Sequence, residues 1–272
     1  MYQLESNRES VILTSETSRL RIGFVSESMV RVTMTGKQPF QDRASLSVIA
    51  NSWYLNYRTE EDATEFRVAT ASVAASVNKK TGAIAYFDPE GRLMLCEPER
   101  GGKWLTPIAV YRNRFSNSAT ASTDGIDGVR VSAEESESIL DRHAFQAKLE
   151  LVFAEDEALF GLGSHEEGYG NLRGKSRELY QHNLKAVIPY FVSTMGYGML
   201  FDCYSLMTFH DDALGSYIWA DVVDELDYYF IRGERFDDIS RGYHALTGQV
   251  PMPPKWYFGY TDRKSTRLNS SH

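Results

Sequence analysis

The strongest constraint on this chain is an alternation of apolar and polar side chains over residues 145–153. Phe145, Ala147, Leu149, Leu151 and Phe153 fall on one parity, with Gln146, Lys148 and Glu150 on the other. A period of two belongs to an extended strand with one buried face, because successive Cβ atoms point to opposite sides. The pattern recurs in Leu20, Ile22 and Phe24, in Val30, Val32 and Met34, and in Phe66 and Val68. Turn chemistry separates these runs. Asn78-Lys79-Lys80-Thr81-Gly82 is one signal. Asp88-Pro89-Glu90-Gly91 is another, with the residues a type I turn favours at its first, second and fourth positions. It predicts a hairpin between 83–87 and 92–95. Residues 113–128, rich in Ser, Thr, Asn and Gly, read as a loop, with a strand resuming near Val129. Many short strands with almost no helical periodicity predict a mainly β chain, an antiparallel β-sandwich.

One helix is predicted, late in the chain. Asp237 and Asp238 suit the positive end of its dipole. Ile239, Tyr243 and Leu246 follow at i, i+4 and i+7, and Gly248 can close the helix. Pro251, Pro253 and Pro254 prevent its continuation. The apolar run Lys255-Trp256-Tyr257-Phe258-Gly259-Tyr260 then reads as a buried strand. Residues 261–272 hold one large apolar side chain, Leu268, and read as a loose tail.

Charge narrows the partners. The 272 residues carry 29 Lys plus Arg against 37 Asp plus Glu, a formal net charge of −8. That balance argues against nucleic acid or an anionic membrane. No apolar run reaches the length of a membrane span, and the first residues lack a signal-peptide pattern, so a cytoplasmic location is expected. Cys96 and Cys203 make no disulfide framework and read as buried, reduced thiols. The 16 Tyr, 14 Phe and 4 Trp are generous, as in a β-rich protein that handles sugars.

Most motifs argue against specific chemistry. Phe160-Gly161-Leu162-Gly163-Ser164 lacks the third glycine of a dinucleotide loop, because position 166 is Glu, and no P-loop Lys-Ser follows. It reads as a backbone turn, and no cofactor is expected. His165-Glu166-Glu167 and His210-Asp211-Asp212 lack the spacing of a zinc helix and read as solvated or capping loops, so no metal is expected. There is no Gly-x-Ser-x-Gly, and no pair of carboxylates is singled out by spacing, so no catalytic residue is assigned. The glycine-rich, basic stretch 168–175 should be an exposed loop. After it, Tyr180, Gln181, His182 and Asn183 set an aromatic ring beside donors and acceptors. That mixture suits sugar hydroxyls, and equally a polar loop pinned by its own hydrogen bonds. Trp219 fits either a second sugar platform or a core tryptophan.

Several stretches in order resemble glycoside hydrolase family 31, the α-glucosidases and α-xylosidases. They are Phe160-Gly161-Leu162-Gly163, Gly196-Tyr197-Gly198-Met199-Leu200, the run 226–233 (Leu-Asp-Tyr-Tyr-Phe-Ile-Arg-Gly), Tyr243-His244-Ala245-Leu246-Thr247-Gly248 and the run 252–260 (Met-Pro-Pro-Lys-Trp-Tyr-Phe-Gly-Tyr). The resemblance implies a galactose-mutarotase-like sandwich over 1–248, then a linker and the first strand of a truncated (β/α)₈ barrel over 249–260. Residues 261–272 would then be a tail foreign to the family. It implies a retaining α-glycosidase whose catalytic aspartates lie further along the barrel, so these residues would form a pocket wall and do no chemistry alone. The matching loop makes Tyr180, Gln181, His182 and Asn183 the expected contacts to an α-glucoside or α-xyloside. Two other readings remain open, a non-catalytic carbohydrate-binding module and an aldose mutarotase-like epimerase using His165, His182 and Glu166.

Overall fold

A computed structural model describes residues 1–6, 9–50, 52–115, 120–125, 128–133 and 136–259. Every paired strand among them is antiparallel to its neighbour. Three sheets build the body. The largest runs Gln3–Ser6, Val11–Thr14, Arg19–Ser26, Met29–Thr35, Leu226–Arg232, Tyr197–Phe201, Ala186–Ser193 and Leu159–Ser164. A five-stranded sheet lies in the order Lys103–Phe115, Ser136–Leu151, Gly215–Val223, Met207–Asp212 and Ser176–Leu179. The third is a meander of five strands from Arg58–Glu61 to Leu93–Cys96, with the turn at Asp88-Pro89-Glu90-Gly91 where its residue types place it.

The alternation translates directly into layers. Leu20, Ile22 and Phe24 are buried on one side, opposite Val30, Val32 and Met34. Ala147, Leu149 and Leu151 face them from the five-stranded sheet, and Phe66 and Val68 come from the meander. One continuous core takes side chains from all three sheets. At its centre Phe230 stacks on Tyr86 at 4.1 Å and on Tyr197 at 5.1 Å between ring centres. Such contacts add to area burial, which dominates at about 25 cal/mol per Å².

The large sheet is apolar on its second face as well. Met29, Leu200, Tyr229 and Ile231 are covered there by Val48 and by the helix Phe236–Thr247 through Ile239 and Leu246. The helix ends as expected, with Gly248 at φ 97° and its N–H bonded to His244 O. Among the described residues, no helix is long and apolar enough to cross a membrane.

The structure corrects the sequence reading in four places. Part of the stretch read as a loop over 113–128 is strand: Lys103–Phe115 ends inside it, and Thr120–Gly125 pairs with Gly128–Ala133. Ser and Thr look like loop residues in composition, yet Thr is β-branched and suits a strand. His210 and Asp211 lie on the strand Met207–Asp212 rather than in a loop. Cys96 and Cys203 are free but only partly buried, and burial pushes both thiols up. Finally, Lys255–Phe258, read as the first barrel strand, forms a 3₁₀ turn closed by Tyr257 N–H to Pro254 O and Gly259 N–H to Trp256 O. Its three aromatic rings are exposed. An apolar run becomes a buried strand only against a partner, and no described strand pairs with it. Tyr260 and the tail 261–272 lie outside the described residues.

Candidate functional site

The candidate loop connects the two sheets. The chain leaves the large sheet at Ser164, contributes Ser176–Leu179 to the five-stranded sheet, and returns at Ala186. Its departure is set by a distorted strand. Gly161, Leu162 and Gly163 all have positive φ, at 129°, 65° and 92°, and the register against Ala186–Ser193 shifts between the two glycines. Positive φ at Leu162 is costly for a side chain of that size. Complete burial of Leu162 in the core compensates. The bulge turns the chain so that the His165 side chain is fully buried, its Nε2–H donating to Leu162 O at 2.8 Å.

Asp211 holds the glycine-rich segment that follows. This buried carboxylate accepts from Arg173 Nε at 2.9 Å, from Gly174 N at 2.5 Å and from Ser216 Oγ. The segment is exposed apart from Leu172 and the partly buried Arg173. Tyr169 lies under two cations, Lys175 at 5.1 Å and Arg177 at 5.6 Å.

Tyr180, Gln181, His182 and Asn183 sit together on the exposed turn between Leu179 and Ala186. Gln181 is committed to the backbone. Its Oε1 accepts from Val187 N at 2.9 Å, and its Nε2 donates to His182 O at 3.3 Å and to Lys185 O. Lys185 N–H donates to His182 O, and Leu184 takes φ 72° to close the turn. His182 Nδ1–H donates to Asn183 O at 2.7 Å, and its ring lies 5.9 Å from that of Tyr180, tilted by 41°. So the turn is a pinned scaffold presenting an exposed Tyr–His pair.

Charges tie this turn to the first half of the loop. Glu167 lies 3.5 Å from Lys185, 4.0 Å from Arg177 and 3.9 Å from His165. Its own backbone N–H, with Lys185 and Arg177 adding, holds its carboxyl below the ordinary range. The sequence reading placed Glu167 in a solvated or capping loop with His165 and Glu166 but missed Lys185 and Arg177 as its partners. Only the return of the chain to the large sheet brings Lys185 alongside. His165, Glu166 and His182, the residues an epimerase would draft, are not presented together: His165 is buried and bonded to the backbone, while Glu166 is exposed. Among the described residues, no group of three or more His, Cys, Asp or Glu side chains is arranged to hold a metal ion.

Comparison with known proteins bears on this fold and loop. Residues 19–210 match the model of the glycosyl hydrolase 31 N-terminal galactose mutarotase-like domain. An α-xylosidase of Saccharolobus solfataricus is 27% identical over 256 residues, covering 90% of this chain and 30% of the relative. Alpha-glucosidase 2 of Bacillus thermoamyloliquefaciens is 23% identical over 252 residues, covering 90% of this chain and 28% of its own length. The chain therefore spans under a third of these relatives. Among solved structures, a GH31 α-xylosidase from a soil metagenome, complexed with xylose, superposes with a TM-score of 0.70 at 21% identity, covering 93% of this chain and 35% of that one. The GH31 α-xylosidase of Xanthomonas citri superposes with a TM-score of 0.76 at 16% identity, covering 94% and 41%.

Proposed function

The chain belongs to glycoside hydrolase family 31, and from that membership we propose that it is the N-terminal sandwich of a retaining α-glycosidase acting on α-xylosides or α-glucosides. The match to the N-terminal domain model over residues 19–210 carries this reading, and relatives named α-xylosidase and α-glucosidase support it. In such an enzyme one carboxylate attacks the anomeric carbon while a second protonates the leaving oxygen, and the two lie about 5–5.5 Å apart. Those carboxylates belong to a barrel beyond the sandwich. The sandwich supplies wall. Its turn 180–183 reaches toward the sugar, with Tyr180 and His182 as contact surfaces and Gln181 and Asn183 holding the turn in shape.

Barrel sites open at the C-terminal ends of the strands, where loops from other domains can approach. A pinned turn is a good wall because it loses little freedom when sugar binds. The test is hydrolysis of aryl α-xylosides and α-glucosides. The 272-residue chain alone should give no turnover above background. The gene product extended through the downstream barrel should hydrolyse one or both, with Tyr180→Ala raising KM several-fold while its melting temperature stays put. Turnover by the sandwich alone, or an unchanged KM in the extended Tyr180→Ala variant, would overturn the respective part of the proposal.

A further inference from the structure

We propose a second carbohydrate site, a flat platform on the solvent face of the five-stranded sheet that binds a neutral oligosaccharide or polysaccharide chain. Strand register builds it. Trp104 pairs with Lys148, Lys148 with Trp219, Trp219 with Thr208, and Thr208 with Glu178. Directly paired residues project to the same face, so these side chains form one row across all five strands. Their sequence neighbours Leu149, Ile218 and Phe209 point into the core, so the row faces water. The two tryptophans stand two strands apart, roughly 10 Å at about 4.8 Å per strand.

Both rings are poised rather than packed away. Trp104 is 49% exposed. Trp219 is partly exposed, and its Nε1–H donates to Asp221 Oδ1 at 2.9 Å, which fixes the indole. Lys148 lies between them in the row, yet its ammonium leans away. It sits 2.7 Å from Glu150 Oε1 and 4.5 Å over the Tyr217 ring. The strip between the indoles is therefore not filled by that charge. A neighbouring row extends the surface: Tyr217 pairs with Glu150 on one side and His210 on the other, its ring stacked on His210 at 4.8 Å. A cavity of about 480 Å³ opens there, lined in part by Arg100, Glu150, His210 and Tyr217.

The chemistry of the face selects its ligand. An apolar protein surface laid on these rings would desolvate Lys148, Glu150, Asp221 and Glu178 and offer them nothing in return. An anionic polymer would meet the carboxylates of Glu150, Asp221 and Glu178, while the cations of the face, Lys148 and Arg100, are already paired with Glu150. A neutral sugar suits both features, because its C–H face covers an aromatic ring while its hydroxyls donate to carboxylates and accept from Lys148. Two rings held roughly 10 Å apart engage different residues of one chain, so the site favours oligomers over monosaccharides through effective concentration.

The platform is independent of the turn 180–183, and the experiment separates them. The 272-residue chain is run in native gels containing dextran, soluble starch or xyloglucan, and indole N–H resonances are followed as a matching oligosaccharide is titrated. Retardation by at least one polysaccharide is expected, weakened at least fivefold by Trp104→Ala and by Trp219→Ala and preserved in Tyr180→Ala. The Trp104 and Trp219 indole signals should shift, which needs no variant to fold. Trp104→Ala removes a half-exposed ring and should leave the melting temperature unchanged. No retardation by any of the three polymers overturns the platform. So does retardation that both tryptophan variants retain, or that only Tyr180→Ala abolishes; the last result would leave the pocket-wall reading standing.

Discussion

Asp238 shows how one carboxylate couples a helix to pH. Arg235 N–H donates to its Oδ2 at 3.0 Å, Arg241 ion-pairs with its other oxygen, and it sits in the first turn of Phe236–Thr247. The backbone bond from Arg235, then the charges of Arg241 and Arg235, hold its carboxyl below the ordinary range. A depressed folded-state value means that the unfolded chain takes up the proton first, so the contribution to stability is complete above the ordinary carboxylate value and is lost as pH falls through the folded one. Asp238→Asn should therefore lower the melting temperature at pH 7. The gap from the parent should persist down to about pH 4 and close below it, since the ordinary value is about 3.9. Melts of both proteins between pH 7 and 2.5 check this, and a gap independent of pH would contradict it.

At the scale of elements, the strand Leu159–Ser164 aims the candidate loop. A Cβ on Gly163 would stand 1.9 Å from Ala186 O, at a φ of 92° that L residues avoid. Neither strain nor clash can relax without moving the partner strand. Gly163→Ala should cost at least about 3 kcal/mol in urea unfolding, at the high end for single substitutions. It should also loosen Val187, whose amide Gln181 holds, so that its hydrogen exchange quickens. The glycines were visible in the sequence as a turn signal, but a bulge inside a paired strand was not, because composition does not reveal register. The same limit explains Trp219. Its parity with Tyr217 was legible, yet parity names two faces without saying which is buried, and only pairing with Lys148 and Trp104 places it outside. The buried strands fared better, since Leu20, Ile22 and Phe24 announce their own inward face. Lys255–Phe258 misled for the opposite reason: local apolarity without a partner strand is not a strand.

For the whole molecule, the question is what joins three sheets into one body. Apolar contact supplies most of the cohesion, but one polar knot crosses all of the boundaries. Glu97 follows the last meander strand, Lys103 begins the first strand of the five-stranded sheet, and Tyr228 lies on the large sheet. Lys103 Nζ lies 2.6 Å from both Glu97 oxygens and donates to Gly82 O at 2.9 Å, and Tyr228 OH donates to Glu97 at 3.3 Å. Tyr86 OH in turn donates to Tyr228 OH. Glu97 and Lys103 side chains are 1% and 3% exposed, so neither charge is screened by water. Burial pushes the carboxyl up and the ammonium down, and each partner works against that shift in the other. Breaking such a pair from one side leaves a buried charge uncompensated, typically at about 3–5 kcal/mol, whereas replacing both partners with apolar groups is often close to neutral. Lys103→Met should therefore fall in that range, and Glu97→Leu with Lys103→Met should recover more than half of the loss. Urea unfolding of the single variants and the double variant closes the cycle. If the double variant lost as much as the two singles added together, the pair would not be acting as a unit, and the joint between the sheets would rest on apolar packing alone.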